Sequence, residues 1–196
     1  MTSAELTLDR TRGNALPGDF AIWIFIFAEL AVFAVLFLAY AFTRAGHVEL
    51  FNESQLLLDR RFGAINTLAL ITSSYFVVRA VAAIKRNHAA RCARWLGAGM
   101  GMGALFLVVK SAEFYIKFNE GVSLSTNTFY MFYLSLTFFH YMHVWMGMVI
   151  LAVVTWKAAH GRYDADAHTG VETGASYWHM VDLVWLILFP LVYVIR

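Results

Sequence analysis

TFYMFYLSLTFFHYMHVWMGMVILAVVTW, residues 128–156, decides the fold. The stretch has no acidic or basic residue other than two histidines, and the first lysine follows it at Lys157. A helix crosses a hydrocarbon core of about 30 Å with roughly 20 apolar residues, so this run is long enough to span and must tilt or protrude. Yet it places His140 and His143 on one helix face in its middle. Histidines at that depth serve a metal, a haem, a proton path or a hydrogen bond between helices.

Working outward, four further segments have the same character, at about 20–42, 62–84, 95–116 and 177–195. The expected architecture is all-α: a polytopic membrane protein with a five-transmembrane-helix bundle over 20–196, preceded by a polar tail over 1–19. Composition agrees. The chain is 60% hydrophobic and 14% charged, with a mean hydropathy of +0.62, whereas a soluble domain carries about 25% charged residues. The single cysteine, Cys92, excludes an internal disulfide framework and a cysteine metal cluster. No Cys-x-x-Cys-His is present for covalent haem attachment. A net charge of +2 does not point to a nucleic-acid partner. The tail MTSAELTLDRTRGNALPGD lacks the basic-then-apolar layout of a cleavable signal peptide.

Basic residues in the connections set the orientation. Arg10, Arg12, Lys85, Arg86, Arg91, Arg94, Lys157 and Arg162 share one side, against Arg44, Arg60, Arg61, Lys117 and Arg196 on the other. The expectation is a bacterial inner (cell) membrane protein with a cytoplasmic N-terminus and an outer C-terminus. Segment 46–61, GHVELFNESQLLLDRR, then lies outside, as a short interfacial helix with Asn52 as its N-cap or as a structured loop.

Ionisable groups cost about 2.5–3.5 kcal/mol at the centre of a membrane helix on insertion scales, so each should face protein or water. Arg79, near the end of its span, can snorkel. Lys110 and Glu113 are spaced to pair on one helix face. Glu29 lies about 15 Å into its span, a depth similar to that of His143, so a Glu29–His143 hydrogen bond is a candidate; the alternatives are contact with a neighbouring subunit and proton handling. His179 and Asp182 share a face of the last span, near the inner surface on a 177 start. Two histidines on one helix face cannot both serve one haem, and the apparent depth mismatch weakens a metal site of His140, His143, His179 and Asp182. Interhelical hydrogen bonding is the expected role of all four, with no metal and no cofactor of the chain's own; the alternative is a stand-alone haem- or quinol-binding membrane anchor, with His143 and His179 as a conceivable haem pair. In GAGMGMGA, Gly97 and Gly101 lie one turn apart, as do Gly99 and Gly103, which predicts close helix packing.

Five stretches in order resemble the cytochrome c oxidase subunit III family. They are IFIFAELAVFAVLFLAY (24–40), AINTLALITSS (64–74), KSAEFYIKF (110–118), FFHYMHVWMG (138–147) and YWHMVDLVWLILF (177–189). Larger members of that family have seven helices, and the spans here resemble the last five. Two short types fit: a subunit III of cytochrome c or quinol oxidases, and the NorE-type accessory protein of nitric oxide reductase. PGDFAIWIFIFAEL (17–30) and HVELFNESQLLLDRRFGAINT (47–67) look most like the NorE type. The resemblance implies a non-catalytic subunit that packs against a catalytic haem-containing subunit, of nitric oxide reductase or of an oxidase, and that binds phospholipid. Lys110, and the Val77-Val78-Arg79 ending of the second span, depart from the larger oxidase subunits. The histidine count agrees with a supporting role. A haem–copper catalytic subunit needs about six histidines at membrane depth, and the spans here hold His140, His143 and His179.

Overall fold

A computed structural model describes residues 18–195; the polar tail lies outside them apart from Gly18 and Asp19. Among the described residues every regular element is a helix. In order they are α1 (Phe20–Gly46), α2 (Val48–Leu56), α3 (Arg60–Ile84), α4 (Ala89–Asn119), α5 (Thr128–Ala159) and α6 (Thr169–Phe189), the last running into a π-helical turn over Pro190–Val194. All except α2 are long and apolar enough to cross a membrane.

Local chemistry sets the helix ends. Asp19, Asp59 and Asn127 cap α1, α3 and α5 by accepting from the backbone N–H of Ala21, Arg61 and Tyr130. At the α3 C-terminus Asn87 takes φ 60°, and His88 N–H returns to the Ala83 carbonyl at 3.0 Å. Gly121 closes α4 the same way at φ 80°, with Val122 N–H on the Lys117 carbonyl. A left-handed residue after the last turn satisfies carbonyls that have no partner within the helix.

α3 and α4 form the most extensive helix pair, α4 packs on α5, and α6 closes against α5 and α3. α1 leans on this group along one seam. Its buried residues, Ile26, Phe33 and Tyr40, recur every seven positions, and its opposite face is exposed and apolar, including Phe20, Phe27, Val35 and Phe42. Together with its hydropathy, that distribution is what lipid or another subunit would cover.

Helix boundaries differ from the sequence expectation in several places, with α1 running on to Gly46, α3 starting at Arg60 and α5 reaching Ala159. α6 begins at Thr169 rather than 177. TGVETGAS is not apolar, but Val171, Gly174 and Ala175 are buried, and a Cβ on Gly174 would sit 3.2 Å from Val154. Packing on α5 extends the helix where hydropathy cannot. α4 begins at Ala89 and ends at Asn119, beyond 95–116, because its charged ends remain helical outside the apolar core. The short helix after α1 is present, but Asn52 lies inside it and accepts from Arg44 instead of capping it; His47 occupies the N-cap with no side-chain capping bond.

The C-terminal π turn leaves backbone carbonyls without ordinary helical partners. They are met from two other elements. Gln55 of α2 donates to the carbonyls of Val192 at 3.1 Å and Leu191 at 3.3 Å, and Tyr40 of α1 donates to Leu191 at 3.2 Å. In hydrocarbon an unmatched backbone group costs several kcal/mol, so these contacts make the turn tenable at membrane depth.

Candidate functional site

The polar residues inside the bundle form separate clusters. At one end Lys110 and Glu113, from one face of α4, meet at 3.0 Å with relative side-chain exposures of 0% and 3%. Tyr193 of the π turn accepts from Lys110 at 2.8 Å and donates to Glu113 Oε1 at 2.6 Å. Tyr133 of α5 donates to the same oxygen at 2.7 Å. The ammonium also lies 4.9–5.7 Å from the ring centroids of Phe114, Tyr133, Trp185 and Tyr193. Each charge thus has an opposite charge and neutral hydroxyl partners, and the ammonium has aromatic faces as well. This cluster joins α4, α5 and the C-terminal turn. A buried pair made in this way contributes little net stability against an apolar substitute, yet removing one partner alone is costly.

Near the middle of the bundle, His143 Nε2 of α5 lies 2.9 Å from Glu29 Oε2 of α1, so the two side chains paired by depth do meet. His143 Nδ1 lies 2.8 Å from the Phe139 carbonyl. A carbonyl only accepts, so Nδ1 carries a proton. Nε2 then accepts from a protonated Glu29 carboxyl, or the imidazolium donates to the carboxylate. Both arrangements hold the same number of protons and no net charge, which hydrocarbon tolerates. Phe33 and Phe139 wall the imidazole, and the Tyr177 hydroxyl donates to the His143 carbonyl. Glu29 keeps 21% exposure on the outer side of the seam, so this pair is half open where the lysine cluster is closed.

His140 does not form the interhelical hydrogen bond expected of it. Its side chain is fully buried, and neither ring nitrogen has a partner among the described residues. Instead the ring lies between Phe106 of α4, at 5.7 Å, and Trp185 of α6, at 5.2 Å. Helical periodicity places His140 and His143 on one general face, but the facing helices differ, so one meets a carboxyl and the other an aromatic cage.

His179 Nδ1 lies 2.8 Å from the Ser74 hydroxyl of α3. Asp182 is buried on the same side, with Oδ1 unpartnered among the described residues. The earlier start of α6 puts both about 15–20 Å along the helix from its first residue. Orientation keeps the groups of a joint site apart: His179 turns to Ser74 of α3 and His143 to Glu29 of α1. Among the described residues no three metal-binding side chains converge.

Of the glycines, Gly99 and Gly103 occupy the packed face. A Cβ at Gly103 would lie 2.7 Å from Met148 Sδ and from Trp178, and one at Gly99 would lie 3.3 Å from Val77. Gly97 and Gly101 have nothing within 4 Å of that position, so close packing uses only one of the two expected rows.

Sequence reasoning missed Tyr133, Tyr193, Gln55 and Thr67. Thr67 accepts the Trp185 indole N–H at 3.0 Å, and further along α3 Ser73 donates to the Gly99 carbonyl at 2.7 Å. A Thr and a Ser pair within an apolar run were a usable signal. Tyrosines were not, because they are common near membrane boundaries for other reasons.

The fold and its internal polar groups define a class: a multi-pass helical membrane protein. The cytochrome c oxidase subunit III family profile matches residues 18–195. The chain is 35% identical over 177 residues to "Cytochrome c oxidase subunit 3" of Synechocystis sp., covering 90% of this chain and 75% of that one. It is 34% identical over 173 residues to the protein of that name from Thermostichus vulcanus, covering 88% and 84%. With the Corynebacterium diphtheriae protein of the same name the identity is 28% over 175 residues. The chain belongs to the cytochrome c oxidase subunit III family.

Proposed function

We propose that this chain is a short, non-catalytic subunit III of an aerobic haem–copper oxidase, crossing the bacterial cell membrane five times with its N-terminus in the cytoplasm. The names of its relatives carry the reading: each is a cytochrome c oxidase subunit 3. The NorE-like appearance of residues 17–30 and 47–67 has no counterpart among those names, so a nitric oxide reductase partner is the weaker reading.

In this reading the chain's residues support rather than catalyse. The lysine cluster and the π turn hold the C-terminal end together. The Glu29–His143 pair stays neutral in hydrocarbon, and the exposed circumference of α1 meets lipid or the catalytic subunit, which holds the haems and copper.

The test is a mild-detergent purification through a tag on this chain. A haem- and copper-containing partner, identified by mass spectrometry and metal analysis, is the expected result. Co-purification of a haem–iron nitric oxide reductase subunit without copper would replace this reading with the other. Recovery of the chain alone with a Soret band of its own would overturn both.

A further inference from the structure

Between the C-terminal end of α3 and the first half of α6 lies a cavity of about 340 Å³. It follows both helices for about 10 Å, from Lys85 back to Val78 on one side and from Glu172 on to His179 on the other. The walls between are apolar, with Val81 and Ala82 facing Ala175. Val78 is about half exposed, so the cavity opens sideways onto the apolar surface of the bundle. At the helix ends Lys85 pairs with Glu172 at 2.8 Å, and the same carboxylate accepts from the Gly18 N–H at 3.2 Å. No unpaired charge therefore lines the cavity among the described residues. His179 stands at the deep end. The Ser74 hydroxyl holds its Nδ1 at 2.8 Å, while its Nε2 has no partner among the described residues and is not sealed by protein. One turn back on α6, Ser176 lines the same cavity, and its hydroxyl is also without a partner among the described residues.

We propose that this cavity binds the head group of a membrane quinone or quinol, a neutral six-membered ring with oxygens on opposite sides and an isoprenoid tail. The charge pattern selects a neutral ligand, because an ionic head group would lose its water here without gaining a counter-charge. The polar groups select the ring. Ser176 and His179 stand at i and i+3, about 5–6 Å apart at Cβ, which is close to the spacing of two oxygens across one ring. A serine hydroxyl donates or accepts, so Ser74 suits either tautomer of His179. Nε2 then donates to a quinone carbonyl or accepts from a quinol hydroxyl, and both redox forms fit. The volume lies at the lower end of the roughly 300–1,000 Å³ of small-molecule pockets, enough for one substituted ring, and the open side at Val78 lets the tail pass into hydrocarbon. The ring is held there with no electron passed to the side chains around it, whichever catalytic subunit the chain serves.

The full-length chain, purified in detergent, is photolabelled with a short-tailed azido-ubiquinone, and the labelled peptides are mapped by mass spectrometry. Decylubiquinone and a ring-free isoprenoid alcohol compete in separate samples. Ser176→Ala removes one hydroxyl, Ala82→Phe fills the cavity, and Ala98→Phe adds the same bulk on an exposed position of α4. The expected label falls on 78–85 and 172–179 and is displaced by decylubiquinone but not by the alcohol. Half-displacement should need about fivefold more decylubiquinone in Ser176→Ala. Labelling should vanish in Ala82→Phe and stay unchanged in Ala98→Phe. If Ala82→Phe lowers the unfolding temperature sharply, His179→Leu replaces it with the same expected loss. Label spread over the exposed face of α1, equal displacement by the alcohol, or unchanged labelling in Ser176→Ala and the cavity variant would each overturn the proposal.

Discussion

The two ends of α4 treat positive charge in opposite ways. Lys110 is sealed among Glu113, two tyrosine hydroxyls and four aromatic rings. About 24–29 Å along the same helix, Arg94 and Arg91 stand exposed with no carboxylate partner among the described residues. A lysine in hydrocarbon needs every partner supplied from within the bundle, whereas an arginine in the headgroup layer can leave its partner to the membrane. The closed end therefore reports on folding, and the open end can change with little effect on it. Substitutions should separate the two.

The largest effect is expected for Lys110→Ala. It leaves the Glu113 carboxylate buried and uncompensated and should cost about 3–5 kcal/mol, read as a large fall in thermal unfolding temperature in detergent. Lys110→Met/Glu113→Gln removes both charges and should recover much of that loss. Equal instability of the single and double variants would mean that packing, not charge, dominates this end.

Tyr193→Phe keeps the ring and removes the hydroxyl bonded to both Lys110 and Glu113. About 1–3 kcal/mol should be lost, with the greatest increase in amide exchange over Pro190–Val194. Gly103→Ala is expected to cost about 1–3 kcal/mol, since its Cβ would meet Met148 and Trp178. Gly101→Ala should stay within about 0.5 kcal/mol. A reversal of that order by chemical unfolding would refute the assigned face of α4.

Glu29→Gln should change stability by less than about 1 kcal/mol, because its amide can still donate to a neutral His143 Nε2. Glu29→Ala removes the partner altogether and should lower recovery of the oxidase complex while leaving the haem spectrum of the complex that forms unchanged. The smallest effect on stability, within about 0.5 kcal/mol, is expected for Arg91→Gln/Arg94→Gln, whose side chains are exposed. Strong destabilisation there would collapse the contrast between the two ends.

Part of the site was legible along the chain. Lys110 and Glu113 share one helix face, so their pairing follows from spacing alone. Glu29 and His143 could be matched by depth, since an isolated ionisable group in hydrocarbon must find a partner. His140 shows where this logic stops. Its spacing from His143 is visible in the sequence, but the phenylalanine and tryptophan that surround it come from α4 and α6. Tyr193 was hidden for a related reason: only the π turn brings its hydroxyl onto a carboxylate on another helix.

By itself the sequence determined that the chain is a helical membrane protein, roughly where its long helices run and which family it resembles, because hydropathy over 20 residues and ordered motifs are properties read along one strand of chain. The tertiary structure alone decided that α6 begins at Thr169, that of the four glycines in 97–103 only Gly99 and Gly103 face a neighbour, and that Gln55 and Tyr40 complete the C-terminal turn. Each of those depends on which surfaces of separate helices meet, and helical periodicity defines a face without naming what lies opposite it.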